Sequence, residues 1–270
     1  MKIAFIGGGN MASALIGGML RQGFDAGDVS AVEPSEESRT RLVAQSGIAC
    51  SAAPGPALGD VDVIVMAVKP QHMREAAQSI APFMAQQLVV SIAAGTRMAD
   101  LGRWLGGHRK IVRCMPNTPA LVGLGITGMF ASSAVSANQR SVAERVLRAV
   151  GEVVWVGSEA LLDPVTAVSG SGPAYVFYFL EALTEAGAKL GLGQDDAKRL
   201  ALATFTGAAK LAADSSDDLA TLRAKVTSKG GTTEAALKLM AERHVKESIM
   251  AAVEAASARG TELGAMLGRD

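Results

Sequence analysis

The sequence has few of the residues on which much enzymatic chemistry depends: three histidines, two cysteines and 4% aromatic residues among 270. His72, His108 and His244 have no carboxylate partner at a suggestive spacing, so neither a Ser-His-Asp arrangement nor a carboxylate pair is expected. Cys50 and Cys114 match no metal or redox spacing and are typical of reduced thiols. The sequence therefore predicts no metal site.

Charge and hydrophobicity exclude further classes of partner. Lys+Arg and Asp+Glu both number 26, so the formal net charge is zero and nothing favours nucleic acid or an anionic membrane. No apolar run reaches the length of a membrane span, and the N-terminal apolar stretch is too short for a signal peptide. We expect a cytoplasmic protein.

The N-terminus has the pattern of a dinucleotide-binding turn. Residues 3–6 predict a buried strand, and Gly7, Gly9 and Ala12 then match G-x-G-x-x-A before a helix whose N-terminus would face phosphates. Glu33 ends the next predicted strand, where an acid binds ribose hydroxyls. The sequence thus predicts bound NADPH or NADH. Further predicted contacts in this region are Ile6, Gly8, Asn10, Met11 and Ser35.

The order of predicted elements divides the chain into two domains. Strands alternate with helices in residues 1–160, which predicts an α/β doubly wound (Rossmann) domain. Alanine-rich helices then replace the strands, so residues 161–270 are predicted to form an all-α substrate-binding and dimerisation domain. Apolar stripes such as Ala197, Leu200 and Ala201 have the helical period and suit packing either on a second subunit or on one another.

Three predicted strands end in distinctive residues, and ligands of a doubly wound sheet lie beyond such strand ends. Lys69 is expected to reach the ribose or phosphates, and the small side chains of Ala93 and Ala94 let a nicotinamide approach the backbone. Asn117 is expected either to hold the carboxamide or to orient a loop between two prolines. The other predicted coenzyme contacts at these ends are Ala67, Val68 and Pro70.

A second glycine-rich segment, residues 226–233, precedes another predicted helix. Gly230 and Gly231 permit a tight turn with exposed N–H groups, and Thr232 or Thr233 is expected to cap the helix. The segment is not a P-loop, whose lysine follows the second glycine. It therefore predicts a site for a small carboxylate.

The scarcity of histidine restricts the reaction further. Reduction of a ketone needs a proton donor to the forming alkoxide, whereas a protonated imine already carries the charge that accepts hydride. Binding, orientation and one hydrogen bond to nitrogen then suffice. A reductase with this composition is expected to need no histidine general acid.

Two segments together resemble the Δ1-pyrroline-5-carboxylate reductase family: residues 169–175, Ser-Gly-Ser-Gly-Pro-Ala-Tyr, and residues 226–233, Val-Thr-Ser-Lys-Gly-Gly-Thr-Thr. The Gly-Gly-Gly-Asn-Met-Ala, Ala-Val-Lys-Pro and Met-Pro-Asn-Thr-Pro segments also look like that family and occur in the same order. The resemblance implies NAD(P)H-dependent reduction of L-Δ1-pyrroline-5-carboxylate to L-proline, the last step of proline biosynthesis. It also implies a homodimer or higher homo-oligomer with interlocking helical domains.

The resemblance further implies which residues meet the substrate. Thr233 would hydrogen-bond the ring nitrogen and is the implied catalytic residue. Backbone N–H groups and hydroxyls of residues 228–233 would hold the substrate carboxylate. The implied substrate-binding residues are Ser228, Gly230, Gly231, Thr232, Thr233, Lys225 and Glu159.

Two departures from the family pattern concern the coenzyme. Glu33 stands where NADPH-using members often have a small or basic residue, and a glutamate there favours the ribose diol of NADH. Ser35 and Arg39 would bind a 2′-phosphate if Glu33 turned away. Residues 53–55, Ala-Pro-Gly, replace an asparagine that touches the adenosine ribose in many members. No preference between the coenzymes is predicted.

Two alternatives compete with this function. β-Hydroxyacid dehydrogenases use a lysine one turn into the helix after their glycine motif, but here Val176, Phe177 and Tyr178 follow Gly172. The second alternative is a nucleotide-binding sensor of the same fold that has no catalytic activity. Such a protein would be expected to have lost the family residues of the carboxylate-binding loop. Ser228 and residues 230–233 instead keep the family pattern.

Overall fold

The computed structural model describes residues 1–269, which form two compact units. Unit 1 comprises Met1–Ser171 and the chain from Ala255 onward, and unit 2 comprises Gly172–Glu254. This division differs from the predicted domain boundary at residue 160. The segment after residue 160 packs with the sheet domain up to Ser171, and the end of the last helix does so as well.

Unit 1 is built on one eight-stranded sheet. Its strands are β1 Ile3–Ile6, β2 Val29–Val32, β3 Ala49–Ser51, β4 Val63–Met66, β5 Leu88–Ser91, β6 Ile111–Met115, β7 Gly125–Ala131 and β8 Gly151–Trp155. Their order is β3-β2-β1-β4-β5-β6-β7-β8, and only the β6–β7 pair is antiparallel in the described sheet. The winding reverses between β1 and β4, as in the predicted doubly wound fold.

The helices of unit 1 cover both faces of the sheet. They are α1 Asn10–Arg21, α2 Glu36–Ser46, α3 Met73–Ile80, α4 Met98–Trp104, α5 Ala137–Arg148 and α6 Leu162–Val165. Ile3 and Phe5 of β1 pack in a buried cluster with residues of α1 and α5, whereas Ala4 and Ile6 pack in a second cluster with residues of α3. Because side chains alternate along a strand, this uninterrupted apolar strand can bury both of its faces.

Unit 2 consists of helices, as predicted for this part of the chain. They are α7 Gly172–Lys189, α8 Gln194–Asp214, α9 Leu219–Lys225 and α10 Thr232–Glu242, and α11 Val245–Leu267 begins in unit 2 and ends in unit 1. Large apolar side chains remain exposed on these helices, including Phe177, Tyr178 and Leu200. Within residues 1–269, none of the helices combines the length and apolar composition that a membrane span requires.

Several elements, α6 among them, are not foreseen in the sequence, and two of these involve predicted site segments. Helix α4 has no capping side chain at Arg97, and its first N–H, that of Met98, bonds instead to the carboxylate of Glu159 at 2.7 Å. A cap supplied by a distant residue leaves no local sequence signal. The second element is a π-turn over Thr166–Gly170, which follows α6 directly and contains part of the Ser-Gly-Ser-Gly-Pro segment.

Candidate active site

The N-terminal glycine loop, Gly7 to Gly9, has the shape that a pyrophosphate site requires. Gly7 has φ +99°, and a Cβ there would lie 2.8 Å from the carbonyl oxygen of Ala67. A Cβ at Gly9 would meet open space, so the backbone is accessible from outside at that position. Gly9 is also the uncapped N-cap of α1, whose first turn carries no acidic side chain. This helix end therefore offers bare N–H groups to an anion.

The sheet topology places the predicted coenzyme residues along one edge. Strands β1, β4, β5 and β6 are adjacent and parallel, so the segments at their carboxyl ends are neighbours. These segments contain Gly7–Gly9, Ala67–Pro70, Ala93–Ala94 and Asn117. The reversal of winding between β1 and β4 creates the crevice in which a doubly wound fold binds its ligand.

Individual residues at this edge have different environments. Lys69 is exposed before the short 3₁₀ helix Pro70–His72, whereas Ala93 is 5% exposed and packs in the core. Ala93 therefore contributes backbone rather than side chain to the crevice. Asn117 accepts a hydrogen bond from the N–H of Ile126 at 2.9 Å and donates one to the carbonyl of Ser169 at 3.2 Å. Of its two expected roles, the structure shows the one that orients a loop.

Glu33 is bound to the N-terminal glycine loop and does not turn away from it. Its Oε2 accepts a hydrogen bond from the N–H of Gly8 at 2.7 Å, and its Oε1 accepts one from the N–H of Ser35 at 2.9 Å. Arg39 donates through Nη1 to the carbonyls of Glu33 and Pro34. The end of β2 therefore presents a fixed carboxylate next to the crevice. The guanidinium of Arg39 binds the backbone of this segment and not the carboxylate.

Glu159, an implied substrate residue, is engaged in a buried ion-pair network. Its Oε1 accepts from Arg113 Nη1 at 3.2 Å as well as from the N–H of Met98. Arg113 Nη2 lies 3.6 Å from Asp163, and the Arg113 side chain is only 6% exposed. Sequence reasoning missed this network, although an arginine within the apolar strand β6 is a signal that buried carboxylate partners are needed.

The Gly-Thr loop of unit 2, Ser228–Thr233, turns sharply into α10. Gly230 has φ +74°, and a Cβ on Gly231 would lie 2.8 Å from the Ser228 hydroxyl oxygen. The expectation that Thr232 or Thr233 caps α10 is wrong, because the N-cap is Gly231 and it has no side-chain cap. The first N–H groups of α10 consequently have no partner within their own helix, and a carboxylate can bind there.

Lys225, the other implied substrate residue of unit 2, has an internal partner. Its ammonium forms a 2.5 Å ion pair with Asp217, and the lysine side chain is 61% exposed. An exposed pair of this kind is weak and exchanges readily with solvent. Lys225 therefore meets a protein carboxylate in the structure, and its contact with substrate stays a prediction.

His108 and the two cysteines are not arranged as a second catalytic group. Burial lowers the pKa of His108 and raises the pKa of Cys114, so each favours its neutral form. Cys50 and Cys114 are both free thiols. Over residues 1–269, no group of three or more His, Cys, Asp or Glu is arranged to hold a metal ion.

Two family models match the chain. The model described as pyrroline-5-carboxylate reductase dimerisation matches residues 159–263. The model described as NADP oxidoreductase, coenzyme F420-dependent, matches residues 2–95. The two matches lie in the helical and the sheet-forming parts of the chain respectively.

Relatives and solved structures resemble the chain over almost its whole length. The pyrroline-5-carboxylate reductase of Pseudomonas aeruginosa is 47% identical over 99% of this chain and 98% of its own. That of Haemophilus influenzae is 41% identical over 97% of both. A structure of the Coxiella burnetii enzyme matches with a TM-score of 0.91 at 38% identity, covering 97% of this chain and 98% of that one. The Plasmodium falciparum enzyme with NADP bound matches at 0.87 and 30%, covering 98% of both chains.

Proposed function

Because the chain belongs to the pyrroline-5-carboxylate reductase family, we propose that it reduces L-Δ1-pyrroline-5-carboxylate to L-proline with NADPH or NADH. The substrate is a cyclic imine with a carboxylate, and the reaction is the last step of proline biosynthesis. The observation that carries this proposal is the uncapped Gly-Thr loop, which suits a small carboxylate, in a chain that also has a dinucleotide crevice.

The residues of unit 1 fit a dinucleotide. Gly7 and Gly9 leave room at the backbone, and the bare N-terminus of α1 suits the pyrophosphate. Glu33 and Lys69 suit the ribose hydroxyls and the phosphates, and the backbone at Ala93 and Ala94 suits the nicotinamide. When bound, NAD(P)H supplies the hydride for the reaction. The protein contributes binding and orientation.

The residues of unit 2 suit the substrate. The N–H groups at the start of α10 and the hydroxyl of Ser228 would hold the carboxylate, which fixes the ring in one orientation. The hydroxyl of Thr233 would hydrogen-bond the ring nitrogen. Lys225 would lie near the same loop, and Glu159 would act in unit 1 by fixing the start of α4.

The chemistry needs no further catalytic side chain. A protonated imine accepts hydride at carbon, the C=N π electrons move onto nitrogen, and the iminium charge is neutralised. No proton has to be delivered to a forming alkoxide, so the absence of a histidine partner is no obstacle. Orientation and one hydrogen bond at nitrogen are the contributions that this chain can make.

The assembled state follows from the exposed apolar helices of unit 2. These helices lie in the residues that match the dimerisation family model, and a second copy of the chain would cover them. We propose a homodimer or a higher homo-oligomer. The two free thiols suit a reducing compartment, so we also propose the cytoplasm.

Initial rates of NADH and NADPH oxidation, measured in parallel with pyrroline-5-carboxylate, test the proposed reaction. Turnover that depends on both imine and coenzyme is the expected result. A folded protein that binds nucleotide but turns over neither coenzyme would contradict the proposal and favour a sensor of the same fold.

A further inference from the structure

The carboxylate of Glu234 is bound to the backbone of the Gly-Thr loop. Its Oε2 accepts a hydrogen bond from the N–H of Gly230 at 2.7 Å, four residues earlier in the chain. The next N–H, that of Gly231, donates to the carbonyl of Ser228 at 3.0 Å. Both glycine N–H groups of the loop are thus occupied by acceptors of the protein itself.

This arrangement determines which N–H groups can meet a ligand. The N–H of Ala235 already donates to the carbonyl of Gly231 at 3.2 Å, as the first complete turn of α10. The N–H groups of Thr232, Thr233 and Glu234 come before that turn and have no carbonyl within their own helix. A substrate carboxylate would therefore bind to these three groups and not to Gly230.

The same carboxylate has a second effect because it is charged. Glu234 is exposed in the first turn of α10, where a negative charge interacts favourably with the helix N-terminus. A second anion at that terminus is repelled by it. Glu234 thus supports the loop by its hydrogen bond and weakens the binding of an anionic ligand by its charge.

We propose that Glu234 is a positioning residue of the Gly-Thr loop. It fixes the turn through Gly230, leaves the N–H groups of residues 232–234 for the substrate carboxylate, and limits the affinity for that carboxylate. This inference rests on the proposed function, since it assumes that the loop binds pyrroline-5-carboxylate.

Two substitutions separate the hydrogen bond from the charge. Glu234→Gln keeps an oxygen that can accept from Gly230 but removes the charge, so its KM for pyrroline-5-carboxylate should fall about two- to five-fold. Glu234→Ala removes both, and its KM should lie about five-fold above that of Glu234→Gln, because the loop loses one hydrogen bond. The kcat should stay within about two-fold in both variants, since the carboxylate contact is equal in the ground and transition states.

The control is Glu242→Gln, which removes the same charge from the exposed end of α10 and should leave both constants unchanged. A purely structural role would lower the active fraction and kcat without changing KM. Equal KM values for the Ala and Gln variants would overturn the inference. If Glu234→Ala does not fold, the test is the KM of Glu234→Gln alone. A value above that of the wild type would overturn the inference. A wild type without turnover contradicts the proposed function instead.

Discussion

Glu33 is held at the end of β2 by two backbone N–H groups, those of Gly8 and Ser35. A carboxylate fixed in this way cannot move aside without breaking both hydrogen bonds. It lies where a doubly wound fold recognises the adenosine ribose, so its charge favours a diol and opposes a 2′-phosphate. We therefore expect this carboxylate to favour NADH, even though Arg39 donates a hydrogen bond to the carbonyl of Glu33.

Replacing this carboxylate should change the coenzyme preference. In Glu33→Ser, the ratio of kcat/KM for NADPH to that for NADH should rise about ten-fold, because one charge near a phosphate is worth about 1–4 kcal/mol at 4 Å. The measurement is a pair of coenzyme titrations at saturating imine. Glu37→Ser, in the exposed first turn of α2, is the matched control. An unchanged ratio in Glu33→Ser would mean that Glu33 does not face the ribose.

Thr233 is the residue on which the chemical step is expected to depend. In Thr233→Ala, kcat should fall about ten- to hundred-fold while the coenzyme KM changes little, because the hydrogen bond to nitrogen matters most in the transition state. Thr233→Ser retains a hydroxyl and should recover most of the rate. Steady-state kinetics of both variants check this, and a normal kcat in Thr233→Ala would remove the proposed role.

Helix α4 and strand β6 are joined by a single buried network. Arg113 of β6 pairs with Glu159 and Asp163, and Glu159 also binds the first N–H of α4. Asp163 further accepts a hydrogen bond from the hydroxyl of Thr261 in α11. Removing the guanidinium would leave two carboxylates close together without a counter-charge. The cost of that is far larger than the cost of losing an exposed ion pair.

Arg113→Met should therefore lower the free energy of unfolding of unit 1 by about 3–5 kcal/mol. Both tryptophans, Trp104 and Trp155, lie in unit 1, so a urea titration followed by tryptophan fluorescence reports on this unit. The control Arg259→Ala breaks an exposed pair with Glu262 and should cost at most about 1 kcal/mol. Equal losses in the two variants would show that the network does not stabilise the fold.

Glu144 connects α5 to β8 and gives the stability of unit 1 a pH dependence. A hydrogen bond from the indole N–H of Trp155 at 2.9 Å, and then one from Arg148, lower the pKa of Glu144 below its ordinary value of 4.5. Because the folded-state pKa is lower, the stabilisation is complete above pH 4.5 and is lost as the pH falls through the folded value. Urea midpoints of wild type and Glu144→Gln should differ above pH 4.5, and the difference should shrink as the pH falls further. A difference that does not depend on pH would contradict this role.

Element types are largely predictable here, whereas their distant contacts are not. Strand β1 begins and ends at the predicted residues 3–6, and helices fill the part of unit 2 that was predicted to be helical, because apolar runs and helical periods are local signals. Helix α4 was missed since Glu159 caps it from 61 residues away. The orientation of Glu33 depends on Gly8, and the fixed state of the Gly-Thr loop depends on Glu234. Such hydrogen bonds from backbone to side chain depend on the folded geometry and leave no local pattern in the sequence.

On the scale of the whole molecule, the two units differ in how they bury apolar surface. The sheet of unit 1 has a buried cluster on each face. Unit 2 leaves Leu190, Tyr178 and Leu219 exposed by 87%, 73% and 74%. A second copy of the chain would cover this surface, as we propose for the residues 159–263 that match the dimerisation model. The predicted coenzyme residues belong to unit 1, and the Gly-Thr loop belongs to unit 2.

Transfer of a labelled hydride from coenzyme to imine tests the proposed reaction itself. The protein is incubated with pyrroline-5-carboxylate and either NADPH or NADH in which both C4 hydrogens of the nicotinamide are deuterium, and the product is analysed by mass spectrometry and NMR. We predict L-proline with one deuterium at C5, the former imine carbon, formed in equal amount to the oxidised coenzyme. Coenzyme oxidation without deuterated proline, or no reaction of the folded protein with either coenzyme, would contradict the assignment.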